Sequence, residues 1–408
     1  MRILLMNYEF PPTGGGAGRA TYNIARQLAR FGHDVDVLTS RYNGQKHYEE
    51  TDGITIYRVP IFRESIHECG FCGAFVYVFF AYLQLHRLLS KKEYDILHYF
   101  FGLPTGLLAV LPARHKHIPF IVSLRGSDVP FYDPFNNRLD IAHRLLKPVT
   151  QKIWNKADRV VALSDSLRRT ALKTAPKLKI DVISNGIDSE LFRTGTTKRE
   201  DESFTFKMIM VSRLIERKGV QYVLAAMSEL ADPGISLTIV GIGNYEKKLK
   251  RMCETYGIQS SVKFFGYCPN EKLNSLYRES DVFILTSLAE SFGIVFLEAM
   301  ASGLPIIGGR TGGVPAIVSD ENGILVEPTS VAEIKNAIVE MKNNPEMRRE
   351  MALQNRRKVL DQYSWQGVAE MYQEIYRQHR LCRVDDSVAG YGKRSRPLFL
   401  DEAGRPLN

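Results

Sequence analysis

"RILLMNYEFPPTGGGAGRATYNIARQLARFGHDVDVLTS", residues 2–40, decides the fold. It opens with a short apolar run, RILLMN (2–7), that reads as a strand. A Pro/Gly loop follows, then a helical pattern from about Arg19 to Phe31, then a second strand, DVDVLTS (34–40). Strands alternating with helices build a parallel sheet covered on both faces.

The loop inside this unit, PPTGGGAGR (11–19), carries chemistry as well as a turn. Glycines let the backbone come close to a ligand, and the N–H groups at a helix start attract anions. A dinucleotide-binding fingerprint does not fit: its third glycine would fall at Thr21 or Arg19, and the strand 34–40 ends without an acid for a ribose. Three consecutive glycines are costly in entropy unless the backbone must approach something.

The alternation continues through ITIYRVP (54–60), DILHYF (95–100), FIVSLRG (120–126) and RVVALS (159–164). It restarts with FKMIMVSRL (206–214), SLTIVGIG (236–243), VKFFGYC (262–268), DVFILTS (281–287) and PIIGG (305–309). The polar, weakly patterned stretch 185–203 reads as the linker between the two sets. The expected architecture is therefore α/β, with two doubly wound domains facing across a cleft at the carboxyl ends of their sheets. Their bounds are set at 1–192 and 193–365, with a last helical stretch from about Trp365 to Arg380 and a flexible tail over 386–408.

Length and composition agree with two soluble domains: 408 residues, 44% hydrophobic and 24% charged. The net charge of +9 is uneven. Residues 1–195 hold 26 Lys and Arg against 18 Asp and Glu, whereas the remainder holds 28 against 27. The basic half favours an anionic partner, a phosphorylated substrate or an anionic membrane surface. Nucleic acid is not expected, since no aromatic-basic recognition motif or zinc spacing is present. Five cysteines, an odd and sparse set, argue for a reducing compartment, and Cys69 and Cys72 read as structural. The start, MRILLMNYEFPP, does not read as a signal peptide. The longest apolar stretch, Phe71 to Leu85, is short of the roughly 20 residues that span a bilayer and reads as a buried or interfacial helix. A cytoplasmic protein, docked on the inner face of the membrane through 71–89 and the basic RLLSKK after it, is the expectation.

In the second domain, VSRLIERKGV (211–220) places Arg213 and Lys218 after a strand. They are either a solvated basic loop or, at the mouth of a cleft, a clamp for a diphosphate. The stretch ESFGIVFLE (290–298) sets two carboxylates around an apolar run. Ser291 can N-cap a helix from Phe292 to Ser302, which leaves Glu290 just outside and Glu298 on the second turn. The N–H groups of Phe292, Gly293 and Ile294 then face an anion, and the two acids face one elongated ligand. The plainer alternatives are a helix-dipole role for Glu290 and a buried ion pair for Glu298.

Over about residues 1–380 the chain resembles the family-4 retaining glycosyltransferases of GT-B fold. The resemblance rests on PP-x-x-GG-x-G (11–18), N-G-x-D (185–188), Arg213 with Lys218, E-x7-E (290–298), GLP (303–305), GGVP (312–315) and NGILV (322–326) in this order. It implies two Rossmann-like domains, with a UDP- or GDP-sugar as substrate held mostly by the C-terminal one and no other cofactor or metal. Arg213 and Lys218 would hold the diphosphate, and Glu298 the ribose hydroxyls. Glu290 would meet the transferred sugar, helped by amides at Phe292 and Gly293, and Gly15 and Gly16 would touch the donor phosphates or the acceptor. The last helix, 366–385, would return to the N-terminal domain, which binds the acceptor, often lipid-linked or phosphorylated. Retention would follow from same-face attack, with the leaving phosphate taking the acceptor proton.

Two departures stand out. Where the family has His-Gly-x-Asp, whose histidine contacts the donor sugar near its reacting centre, this chain has Arg125, Gly126 and Asp128; the resemblance makes Arg125 and Asp128 catalytic candidates beside Glu290, with Arg125 suited to an acidic sugar or an acceptor phosphate, or else to the surface. Ala316 stands where the family often has Glu. His98 reads as a satisfied core histidine. The resemblance also leaves open a protein that binds nucleotide-sugars without turning them over.

Overall fold

A computed structural model describes residues 1–63, 69–111, 117–195 and 206–388. The first sheet has eight strands: β1 (Arg2–Met6), β2 (Asp34–Ser40), β3 (Tyr48–Thr51), β4 (Ile54–Val59), β5 (Ile96–Phe100), β6 (Phe120–Leu124), β7 (Arg159–Ala162) and β8 (Ile180–Val182). Their spatial order is β3-β4-β2-β1-β5-β6-β7-β8, parallel except at the β3 edge. The helices α1 (Gly16–Arg30), α2 (Gly70–Lys91), α3 (Asn137–Lys156) and α4 (Asp165–Leu172) are its crossovers.

The second sheet has six parallel strands, β9 (Phe206–Val211), β10 (Ile235–Val240), β11 (Val262–Gly266), β12 (Val282–Leu285), β13 (Ile306–Gly309) and β14 (Gly323–Val326), ordered β11-β10-β9-β12-β13-β14. Its helices are α5 (Val220–Leu230), α6 (Glu246–Tyr256), α7 (Asn270–Arg278), α8 (Ile294–Ala301), α9 (Val314–Ile317), α10 (Val331–Asn343) and α11 (Pro345–Gln362). The fold is thus α/β with two doubly wound, Rossmann-like sheets, as the alternation of patterns predicts. Strands β3, β8 and β14 escape that reading because they are short and carry little alternation.

The last helix, α12 (Trp365–Val388), crosses back to the first sheet. Trp365, Val368, Ala369, Tyr372 and Tyr376 join Ile24, Leu28, Ile96 and Ile121 in one apolar cluster. Ile187 donates its N–H to the carbonyl of Tyr363 at 2.8 Å, so the two chain crossings between the domains run side by side. The helix continues past Arg380 because no glycine or proline interrupts it before Gly390. Residues 386–388 of the expected tail are therefore helical, while 389–408, like 196–203 of the linker, lie outside the described residues.

Helix α2 is 22 residues long, longer than its apolar stretch. Tyr77, Ala81, Leu85 and Leu88 are buried on the sheet, whereas Phe71, Phe75, Phe79 and Leu83, spaced by four, are exposed.

Candidate active site

In an open parallel sheet, two neighbouring strands whose crossovers run to opposite sides leave a crevice at their carboxyl ends. Here those pairs are β1 with β5 and β9 with β12. The loops after all four strands line a single cleft of about 1270 Å³ between the sheets.

The loop after β9 turns through a short 3-10 segment, Glu216–Lys218, and Gly219. Gly219 has φ +73°, and a Cβ there would lie 2.0 Å from the Thr286 carbonyl oxygen, so only glycine lets this loop lie on the end of β12. The contact brings Lys218 to Glu290, Nζ to Oε2 2.5 Å, with both side chains nearly buried. Burial alone would raise the Glu290 carboxyl, but Lys218, with Arg217 and Arg213 beyond it, holds it below the usual carboxylate value. Burial lowers the Lys218 ammonium, and Glu290 opposes that shift. Arg213 is exposed at the cleft and makes no ion pair among the described residues.

Helix α8 starts at Ile294, not at Phe292. Gly293 precedes it at φ +89°, where a Cβ would meet the Phe296 ring at 2.6 Å. Ser291 does not cap the helix. Its hydroxyl donates to the Arg125 carbonyl at 3.3 Å, and its own carbonyl accepts from the Ser164 hydroxyl at 2.8 Å. The left-handed glycine replaces the capping serine and frees Ser291 to join the two domains. Phe292, Gly293 and Ile294 line the cleft beside Glu290.

Glu298 is fully buried on α8. Its Oε1 accepts from Arg19 Nη1 at 2.9 Å and its Oε2 from the Tyr277 hydroxyl at 3.0 Å. Burial, with Glu298 adding to it, raises the Tyr277 phenol well above its ordinary value, so the phenol stays protonated and donates. Arg19 belongs to the opposite domain, one turn into α1 after Gly15 and Gly16. The helix begins at Gly16, three residues earlier than its pattern suggests, because the last glycines of the loop are themselves helical.

On the N-terminal wall, Asp128 does not line the cleft. Its carboxylate accepts the backbone N–H groups of Gly102 (2.6 Å), Arg125 (2.8 Å) and Gly126 (2.9 Å). Arg125 does line it. The guanidinium lies 4.5 Å over the Phe100 ring and donates through Nη1 to Asn185 Oδ1 at 3.0 Å, while Nε and Nη2 are buried without a hydrogen bond among the described residues. Burial lowers its pKa from the ordinary value. His98 is a satisfied core residue, between the Tyr376 hydroxyl and Ser123 Oγ, each at 2.7 Å.

The cleft therefore gathers Gly15, Gly16, Arg125, Arg213, Lys218, Glu290, Phe292, Gly293, Ile294 and Glu298, and leaves Asp128 behind its wall. Sequence reasoning missed Arg19 and the ion pair of Arg217 with Asp133 (2.6 Å), which also crosses between domains. Arg19 closes the glycine loop and Arg217 precedes Lys218, so both stood inside stretches already singled out. Their partners lie in the other domain, and no local pattern names them.

Two doubly wound domains with their switch points facing across one cleft define a GT-B fold. Sequence models bear this out: that of Glycosyltransferase Family 4 matches residues 14–191, and that of Glycosyl transferases group 1 matches residues 194–358. The chain belongs to the family-4 glycosyltransferases. It is 28% identical over 396 residues to an uncharacterised glycosyltransferase of Methanocaldococcus jannaschii, covering 92% of this chain and 98% of that one. It is 26% identical over 398 residues to the GDP-mannose-dependent alpha-(1-6)-phosphatidylinositol monomannoside mannosyltransferase of Mycolicibacterium smegmatis, covering 93% and 100%. Among solved structures, sucrose-phosphate synthase from Thermosynechococcus elongatus superposes with a TM-score of 0.82 at 21% identity, over 94% of this chain and all of that one.

Proposed function

We propose that the protein is a retaining hexosyltransferase that moves a sugar from a UDP- or GDP-sugar to a lipid-linked or other cell-envelope or polysaccharide precursor, without a metal. One observation carries the reading: at the switch point of the second sheet, the Lys218–Glu290 pair shares the cleft with Arg213, which makes no ion pair among the described residues. Glu290 takes hydroxyls of the transferred sugar, Arg213 and Lys218 take the diphosphate, and Glu298 takes the ribose. The amides of Phe292, Gly293 and Ile294, with Gly15 and Gly16, complete the phosphate contacts. The bond from the sugar C1 to the β-phosphate oxygen breaks, its electron pair going to that oxygen. The acceptor hydroxyl bonds C1 on the same face and gives its proton to the leaving phosphate. Arg125 and Asp128 hold the loop beside Ser291 and are positioning residues in this scheme.

A lipid-linked acceptor fits the exposed apolar faces of α2 and of α3, where Ile141, Leu145 and Leu146 stand among Arg138, Arg144 and Lys147. It also fits the phosphatidylinositol-based name of the mycobacterial relative. The protein then works in the cytoplasm, peripheral on the inner face of the membrane.

Glu290→Gln tests the assignment. Transfer, followed as nucleoside diphosphate release, drops by roughly 100-fold or more. The variant stays folded but loses about 1–3 kcal/mol, because Lys218 then faces a neutral amide. Wild-type turnover in Glu290→Gln sinks the assignment. Tight donor binding by the unaltered protein, with no turnover toward any acceptor, replaces it by a nucleotide-sugar-binding role.

A further inference from the structure

Both donor-site carboxylates are already held by a cation, and the two pairs differ in one respect. Glu290 and Lys218 belong to the same domain, whereas Glu298 is held by Arg19 from across the cleft. Arg19 uses Nη1 alone, donating to Glu298 Oε1 and to Asn270 Oδ1, both at 2.9 Å. Its Nε and Nη2 carry no hydrogen bond among the described residues. The side chain keeps 33% of its exposure, toward a cleft it helps to line, while that of Glu298 keeps 1%. Its position is also fixed from behind. Gly16, three residues earlier, packs so closely that a Cβ there would touch Ile294 Cδ1 at 3.1 Å, against the start of α8.

Charge counting shows why this matters. The diphosphate of a bound nucleotide-sugar brings two negative charges and gains a third as the sugar leaves. Lys218 is shared with Glu290 and Arg217 with Asp133, so of the C-terminal cations that line the cleft only Arg213 makes no ion pair among the described residues. A carboxylate oxygen has room for a second donor. Ribose hydroxyls can therefore join Arg19 on Glu298, and the unused N–H groups of Arg19 then face the phosphates attached to that ribose.

We propose that Arg19 is a catalytic residue that contacts the diphosphate of the donor from the N-terminal domain. This rests on the nucleotide-sugar reading above. Arg19 hydrogen-bonds the phosphate oxygens and transfers no proton. It stabilises the charge that arrives on the β-phosphate oxygen when the bond to C1 breaks. Because its fellow cations sit on the other domain, the leaving group meets all of its cationic hydrogen-bond donors only when both domains close on it.

The test is calorimetric binding of UDP, UMP, GDP and GMP to the full chain, with donor turnover measured beside it. For whichever base the wild type binds, Arg19→Ala and Arg19→Gln lower the preference for diphosphate over monophosphate by about tenfold or more. Monophosphate affinity stays within about threefold, and kcat falls roughly 100-fold. Arg19→Lys recovers part of both. Arg19→Gln keeps a donor for Glu298 and Asn270, so its melting temperature separates a folding defect from a lost contact. An unchanged diphosphate preference in a folded Arg19→Gln overturns the proposal, leaving Arg19 as a clamp on Glu298. Tighter binding of both nucleotides also overturns it, making Arg19 a competitor of the ribose. Failure of the wild type to bind any of the four removes the nucleotide-sugar reading itself, and this proposal with it.

Discussion

His98 shows how a buried titratable residue is kept out of the chemistry. It is completely buried, its ring is stacked on Phe100, and both nitrogens are satisfied by hydroxyls. Burial, with Arg125 nearby, lowers its pKa well below the ordinary 6.5. The unfolded chain therefore takes up a proton here before the folded one does. Stability from this site is complete above pH 6.5 and is lost as pH falls from there toward the folded value, by up to about 1.4 kcal/mol per pH unit. His98→Asn should melt lower than the wild type at pH 7.5, by about 1–3 kcal/mol for a broken buried network. Between pH 7 and 5 its melting temperature should fall less steeply. Parallel pH profiles would refute this account. The residue was legible as core from its strand, because DILHYF is apolar on both sides of the histidine. Its partner Tyr376, and Tyr372 that hydrogen-bonds Ser123 behind it, were not, since they arrive on α12 some 270 positions later.

Among the elements, α2 and α3 carry the clearest unpartnered surface. Phe71, Phe75, Phe79 and Leu83 form a stripe on α2 that continues into Arg87 and Lys91 at the same spacing. Helices α2 and α3 both pack on the turn Thr105–Ala109. Apolar residues edged by cations suit the interface of an anionic bilayer. Phe75→Ser with Phe79→Ser removes two rings, each worth about 1.5–3 kcal/mol when buried. Co-sedimentation with vesicles containing an anionic phospholipid should fall by more than tenfold, while the melting temperature stays close to wild type because both rings are exposed. Unchanged sedimentation, or wild-type binding that ignores salt and lipid charge, would rule the docking out. The sequence marked α2 by its aromatic run, yet α3 reads as an ordinary charged helix. Its apolar residues become a surface only once the fold leaves Ile141, Leu145 and Leu146 exposed. The start of α8 has the same lesson at smaller scale: Ser291 satisfies a capping rule locally, and contact with the other domain overrides it.

For the whole molecule, the doubly wound sheets were readable because each strand–helix unit is patterned over a few residues. The closure of the two sheets on each other was not, because it depends on pairs far apart in the chain. Two ion pairs carry much of it, Arg19 with Glu298 and Arg217 with Asp133. The second has no residue in common with the first, so it can be cut while Arg19 keeps its hold on Glu298. Both of its side chains keep about a tenth of their exposure, and Arg217 also lies 5.4 Å from the Tyr132 ring centre. Little water screens such a pair, and removing one partner leaves the other charge buried, which favours separation of the surfaces so that it can be hydrated. Asp133→Asn should therefore shift the donor-free protein toward an open arrangement while leaving each sheet intact. Small-angle scattering would show a larger radius of gyration for Asp133→Asn than for the wild type, unchanged secondary structure by circular dichroism, and a return to the wild-type radius at saturating nucleoside diphosphate. Ligand should bind more weakly by the free energy now needed for closure, on the order of 1–3 kcal/mol. Equal radii in the donor-free state would mean that Arg19, Ser291 and the paired crossings at Ile187 hold the domains together without Asp133.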